Sequence, residues 1–566
     1  MTISRNTLIL VVVVIGGLAV QPAGQSTPQE RRHVFVPAEA TIEPLARAVP
    51  GGNAVLRVRF AEGSRPPDRV TYQTEYGTVV LADDGKGFDT KSGDGLYTAL
   101  GNMDLVAARA RIERLGRSRT AMPTRTWRHR SRTDVKAVMD PRLWRAGQAY
   151  PWEMWGDPSQ IDSSRSLLVR DLGVIEDASR TKASCNQPSM GVWSFGYLME
   201  QMANTPVTGV TGPQFARAWL DRWMAAQPVN GWTISARALM QEKIIDPWIA
   251  ASGGPDDELD LAKAPFRLLA IVNRLDLREQ TSYGGGQGGE LRFVFRSMND
   301  GCTDLDNTFE VIFEYAVPAS SCLSLKALAN QWKALGSLAL GSPQYNAALE
   351  AITQQVVVAG AGGAAPNGSA LSQIRTNENL VDPAGGLDWE AREFRIDPAT
   401  HLLVQDTVAQ TPATILRLSN DFSDYVNSHA PGIVFGDYVV PLRYPTIADS
   451  FRGGSTIYSA SSLWNPTLGA TPIVDREARH QFALNTCNGC HYNETDTDFA
   501  HVRRAPFGTT PALSGFLTGI FVADPADDLP VRHFDDLERR AVDMDALISE
   551  PCFAFPLDLP LLATSH

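Results

Sequence analysis

Cysteine and histidine are both scarce in this chain, at 6 and 9 of 566 residues. So few cysteines exclude a small scaffold framed by disulfides. Positive charge is short too: 51 Lys and Arg face 63 Asp and Glu, for a formal net charge of −12. That balance argues against phosphate-backbone binding, and hence nucleic acid, as the main task. The longest apolar run near the start, Leu8 to Val20, falls short of the roughly 18 residues needed to span a bilayer. Between 140 and 470 there is no G-x-S-x-G elbow, no H-E-x-x-H and no Walker loop, so no motif there names a reaction. What is present is ordinary globular composition, 43% hydrophobic and 20% charged, and enough length for several domains.

Arg5, the apolar run and the small polar residues Ala23 to Ser26 predict a signal peptide over 1–25, with an uncleaved anchor as the alternative. No cysteine lies near that cleavage region, which argues against lipid attachment there. Export leads to a compartment that permits disulfides. Cys302 and Cys322 flank the strand-like run Phe309 to Val317 and are expected to pair. Cys185 and Cys552 are left to pair across the chain or to stay as buried thiols.

A linker over 26–50 precedes alternating Leu56, Val58 and Phe60 against Arg57 and Arg59, the pattern of a half-buried strand. Further strands are predicted at Val70 to Tyr76 and Thr78 to Leu81. The run Asp83-Asp84-Gly85 to Asp89, then Gly93-Asp94-Gly95-Leu96-Tyr97, resembles the signature of bacterial extracellular Ig-like modules. That resemblance implies a β-sandwich over 51–125. The four aspartates suit tight turns; calcium is a second use for them, although their spacing departs from an EF-hand loop. Nine arginines and one acid fill Arg109 to Arg132, giving a basic linker around 126–140 that is either solvated or docks an acidic partner or anionic surface.

The middle, 141–470, reads as an α+β domain of unassigned role. Phe215, Trp219 and Trp223 recur every fourth residue as an aromatic helix face that suits core packing. Strands at Phe266 to Val272, Leu291 to Phe295 and Phe309 to Val317 have connections short enough for antiparallel pairing. The glycine-rich loop 284–289 leads into a strand and not a helix, so it reads as a hairpin loop, not a phosphate cradle. Helices are expected around Leu325 to Leu335, Tyr345 to Val356 and Ile415 to Phe422, a flexible loop over Ala359 to Ser369, and a hairpin over Trp389 to Val408.

The strongest signal is Cys487-Asn488-Gly489-Cys490-His491. A C-x-x-C-H run is the attachment site of a covalent c-type haem, two thiols meeting two vinyl groups and the imidazole reaching the iron. Asp475 is placed to cap a helix leading into it, with Val474, Ala478 and Phe482 on one side. Such a helix followed by polar loop resembles the start of small c-type cytochrome domains. The resemblance covers 471–566 and implies a mainly α haem region, with Pro511 to Gly515 similar to the loop beside the proximal histidine. It further implies a methionine as second axial ligand. Met544 is the one methionine downstream, on a charged helix expected over Asp535 to Ile548. His501, ten residues past His491 beyond a polar turn, is the rival, expected to fold over the opposite haem face. Four of the nine histidines, His480, His491, His501 and His533, crowd into this region, so His480, His533 or an open position are the remaining choices for the second axial site.

Two other uses of the motif stay open. Cys487 and Cys490 with His480, His491 or His501 have the ligand count for zinc, and the two thiols alone could form a redox disulfide. The sequence thus leads to an exported, periplasmic or surface, multidomain bacterial protein: Ig-like sandwich, central α+β domain, cytochrome c-like end. Its expected activity is one-electron transfer through one covalent haem to an unidentified redox partner. A surface binding or structural protein with a metal- or disulfide-stapled end is one alternative. An oxidoreductase whose central domain acts on a substrate is the other.

Overall fold

The computed structural model of this chain describes strands between residues 9 and 101 and, apart from short internal stretches, residues 158–549. Most of the leader, the basic run, the loop 284–287, Cys302, Cys552 and the side chain of Cys322 lie outside the described residues, and with them the expected Cys302–Cys322 bridge. Cys185 is disulfide-bonded. The chain divides into two compact units, one built on the strands up to residue 101 and one running from 157 to 545.

In the first unit β1 (Ile9–Leu10), β2 (Pro37–Val49), β3 (Gly52–Phe60), β4 (Arg69–Thr74), β5 (Gly77–Ala82) and β6 (Leu96–Gly101) form one antiparallel sheet, ordered β1-β2-β3-β6-β5-β4. The predicted strands are there. A sandwich needs a second, facing sheet, and the described strands of this unit form one sheet. Asp83 Oδ1 accepts from the Gly93 N–H at 2.6 Å and Asp84 Oδ1 from Lys86 N–H at 3.1 Å, the work of turn residues. Asp89 and Asp94 lie outside the described residues.

The second unit is organised by a larger antiparallel sheet. Its strands are β7 (Leu168–Val169), β10 (Phe266–Arg274), β11 (Glu290–Ser297), β12 (Thr308–Ala316), β13 (Leu371–Asn379), β14 (Glu390–Ile396), β15 (Leu403–Asp406) and β16 (Thr456–Ile457). They run in the order β15-β14-β13-β12-β11-β10-β7, with β16 also on β14. A small hairpin, β8 (Gln227–Val229) with β9 (Trp232–Ile234), stands apart.

Along β11 and β12 apolar and charged residues alternate, so successive side chains serve opposite faces. The apolar face is covered by α1 (Phe195–Ala203), α2 (Gly212–Leu220) and the turn Asp221–Trp223. Phe195 stacks on Phe266 at 3.9 Å, while Trp223 meets Phe309 at 5.4 Å and Phe394 at 4.7 Å. The aromatic helix is core, and a capping box between Thr211 and Gln214 starts it. Helices α3 (Cys322–Ala334) and α4 (Pro343–Val357) fall where periodicity puts them.

The other face carries cross-strand rows of charge: Arg296 lies opposite Glu310, Arg292 opposite Glu314, and Arg375 opposite Glu393. An antiparallel sheet ordinarily turns such a face to water. Here it is buried, so its charges must be paired. Arg292 reaches Glu290 at 2.6 Å and Glu314 at 3.3 Å; Arg375 reaches Glu314 at 3.0 Å and Glu393 at 3.2 Å.

What buries this face is the C-terminal segment, within the same compact unit, so no break between units falls at 470. The segment holds α6 (Arg476–Leu484), the one-turn α7 (Cys487–Cys490), the hairpin β17 (Ile520–Ala523) with β18 (Val531–Phe534), and α8 (Asp536–Ser549). Apart from that one short hairpin its regular structure is helical, with a further turn at Gly515–Thr518. Leu484, Cys490, Val502, Phe516 and Phe534 close one apolar cluster with Leu168, Leu269, Val272 and Val294 of the sheet. Two local expectations fail. Val474 is 85% exposed, because α6 begins after it. Ile415 and Leu418 are exposed, because the chain there is a 3-10 turn, which sets i and i+3 on one side; α5 (Asn420–Phe435) follows with Phe422 buried.

Candidate functional site

The C-x-x-C-H turn is held from both ends. Asp475 caps α6 by accepting from the N–H groups of Glu477 and Ala478. Thr486 caps α7, its hydroxyl accepting from Gly489 N–H at 3.1 Å and donating to the Ala483 carbonyl at 2.7 Å. The buried Trp464 indole donates to the same hydroxyl at 2.9 Å. Glycine is required at 489, since a Cβ there would stand 2.0 Å from the Ala483 carbonyl oxygen. α6 is anchored by a buried ionic network. Arg479 grips Glu494 at 2.7 and 2.9 Å and Asp524 at 2.9 Å, Arg532 bridges Asp524 and Glu477, and His480 bonds Glu494.

From α7 the chain turns back at once. Phe499 N–H donates to the His491 carbonyl at 3.0 Å, and His491 Nδ1 donates to the Phe499 carbonyl at 2.8 Å. A carbonyl can only accept, so the proton of His491 sits on Nδ1 and Nε2 carries the lone pair. Phe499 has φ = 57°, an outlying conformation for a bulky residue. Burial holds the His491 imidazole down at about 4, neutral near pH 7.

The motif borders a cleft between the C-terminal segment and the charged sheet face. Cys487, His491, His501 and Trp389 line it, above a floor that includes Arg292, Val294, Glu310, Glu314 and Arg375. The floor crosses five strands, β10 to β14. Trp389 stacks on His491 at 5.8 Å and on Phe499 at 5.5 Å.

Cys487 and Cys490 are buried free thiols; Cys487 lines the cleft, and Cys490 lies in the apolar cluster with Leu484 and Val502. Burial pushes the Cys487 thiol up to about 11 and that of Cys490 well above its ordinary value. A redox disulfide needs the opposite, an accessible thiol of depressed pKa. The zinc arrangement is not assembled here, although Cys490 Sγ and His501 Nε2 lie 3.5 Å apart. Tetrahedral ligands about 2.0–2.3 Å from one ion crowd together. Among the described residues, the one group of three candidate ligand atoms within 4.8 Å of one another is His480, Glu494 and Asp524. The two thiols with His491 or His501 do not converge in this way, and His480 belongs to the ionic network. In that network Arg479 already supplies cationic charge to both carboxylates.

The predicted second axial ligands are placed differently from expectation. His501 does not fold over from an opposite face: its ring lies 4.6 Å from that of His491. Imidazoles on opposite faces of one metal, at about 2 Å per bond, have centres roughly 6 Å apart. His501 is held by the Ser514 hydroxyl at Nδ1, 2.9 Å, and by Cys490 Sγ at Nε2, 3.5 Å. Met544 is buried on α8 with its sulfur 3.8 Å from Asn273 Nδ2, and it is not among the residues lining the cleft. The turn of α8 nearer the cleft presents Arg540 instead. The charged floor and Trp389 were missed from sequence; the alternating charge of β11 and β12 was the available signal.

Comparison with family models, with curated proteins and with solved structures returns no match for this chain. No helix among the described residues is long and apolar enough to cross a membrane.

Proposed function

We propose that this protein carries one covalent haem c on Cys487, Cys490 and His491 and transfers single electrons through it. One observation carries the reading: the His491 Nδ1 bond to the Phe499 carbonyl, which makes Nε2 the basic nitrogen of a motif that also holds two free thiols. A carbonyl that accepts from the other ring nitrogen orients metal-ligating histidines and raises their basicity. When bound, haem would supply a one-electron couple whose potential follows from axial ligation, hydrogen bonding and burial.

The chain's own residues do the rest. Cys487 and Cys490 would tether the group, His491 would ligate it, and Trp389 would wall the ring side. Periplasmic export and the Ig-like identity of the first unit belong to the same proposal. They are supported by the N-terminal apolar run and the Asp-Gly signature.

A second reading is favoured by the sheet. Residues of β10 to β14 furnish most of the cleft, and neither Met544 nor His501 stands ready as a second axial ligand. The cleft would then admit a small molecule, making the protein an oxidoreductase whose central sheet shapes the substrate site.

Intact mass and a pyridine haemochrome spectrum after export alongside haem-attachment machinery test the first reading. One added haem, lost in Cys487→Ser with Cys490→Ser, is the expected result. A wild-type chain at its unmodified mass refutes it. Carbon monoxide binding to the reduced protein would favour the second reading.

A further inference from the structure

Behind His491 runs a hydrogen-bonded chain into the sheet. The Phe499 carbonyl accepts from His491 Nδ1 at 2.8 Å and also from Asn377 Nδ2 at 2.6 Å. Asn377 Nδ2 also donates to Glu310 Oε2 at 2.8 Å, and its Oδ1 accepts from the Trp389 indole N–H. A primary amide offers two N–H groups and one carbonyl oxygen, so every kind of bond Asn377 can make is engaged. The indole can only donate, which settles which end of the amide is oxygen. Asn377 and Glu310 are each 7% exposed, so water is a poor substitute for these partners. Trp389 takes part twice, orienting the amide through its nitrogen and stacking on His491 through its ring.

We propose that Asn377 is a positioning residue for His491. Through the shared Phe499 carbonyl it sets how strongly the imidazole is polarised, and so the potential of the iron that His491 would ligate. The inference rests on the haem reading above. A carbonyl oxygen accepting two N–H bonds offers less electron density to each. Asn377 therefore weakens the pull on His491 Nδ1–H. The bond from Nδ1–H governs the basicity of a histidine that ligates through Nε2, and a more basic imidazole favours the ferric state. Removing the Asn377 donors frees the carbonyl for His491 and lowers the potential.

The test uses the full chain, exported with haem-attachment machinery, as wild type and as Asn377→Leu. Spectroelectrochemistry is expected to find covalent haem retained and the midpoint lowered by about 59 mV, a tenfold change in the one-electron equilibrium. The hyperfine-shifted ring resonances of His491 move with it, which a merely structural role would not require. Trp389→Phe keeps a ring beside His491 but removes the N–H that orients the amide. It is expected to shift the midpoint in the same direction, and it decides the matter should Asn377→Leu fail to fold. Haem-bearing variants whose midpoint is unchanged or raised overturn this inference alone. A wild-type chain without haem overturns it together with the reading beneath it.

Discussion

Glu310 sits buried on the sheet face, where burial pushes its carboxyl up to about 7 against the Asn377 hydrogen bond and Arg296, which pull it down. An unfolded glutamate titrates near 4.3. The folded chain thus holds this proton more tightly than the unfolded one. The resulting stabilisation is complete below about pH 4.3 and lost as pH rises to about 7, a change on the order of 3 kcal/mol. Glu310→Gln is expected to flatten that part of the stability profile in urea unfolding at pH 4.5 to 8. An undiminished slope in the variant would assign the titration elsewhere. Glu494 behaves in the opposite sense. Burial raises its carboxyl, but Arg479 and His480 outweigh burial and hold it at about 2, so its contribution is present above about pH 4.5 and lost toward pH 2. Met544 shows how partners decide a role. With its sulfur against Asn273, Met544→Leu should leave the haem spectrum unaltered and cost under about 1.5 kcal/mol, as volume-conserving swaps do. A shifted spectrum would return Met544 to the iron.

Among the elements, α6 matters most to the site because it delivers α7 into position. Its start depends on Asp475, whose carboxylate accepts from two first-turn N–H groups. Asp475→Ala is expected to cost about 1 kcal/mol and to lower the yield of covalent haem, read by thermal unfolding and by haem-to-protein absorbance ratio. Equal yield and equal stability would mean the ionic network of Arg479, Glu494 and Asp524 holds α6 unaided. This helix and its cap were legible in the sequence, because capping and the Ala478–Phe482 spacing are local properties. β13 was not. Its sequence, LSQIRTNEN, has too few apolar residues to read as a central strand. It is one because Gln373, Arg375 and Asn377 find partners on the buried charged face, and Ile374 faces the aromatic core.

For the molecule as a whole, the C-terminal segment is the lid of a sheet and not a free-standing haem domain. Leu484, Cys490, Val502 and Phe516 pack against β7, β10 and β11, and a fragment lacking those strands leaves that surface in water. Residues 471–566 expressed alone are therefore expected to stay unfolded by circular dichroism and to take up little haem. A helical, haem-bearing fragment would show instead that the segment folds by itself. The Cys487–His491 motif, the helix ahead of it, the aromatic core helix and the antiparallel strands of the middle were all determined by the sequence, since each depends on residues close together in the chain. Only the tertiary structure decided which wall the motif faces, that Met544 lies against Asn273, that the His501 and His491 rings stand side by side, and that Asn377 stands behind His491. Those relations join residues more than a hundred positions apart, or turn on a loop closure such as that at Phe499, and they arise because a charged sheet face can be buried only beneath a segment that seals its paired charges from water.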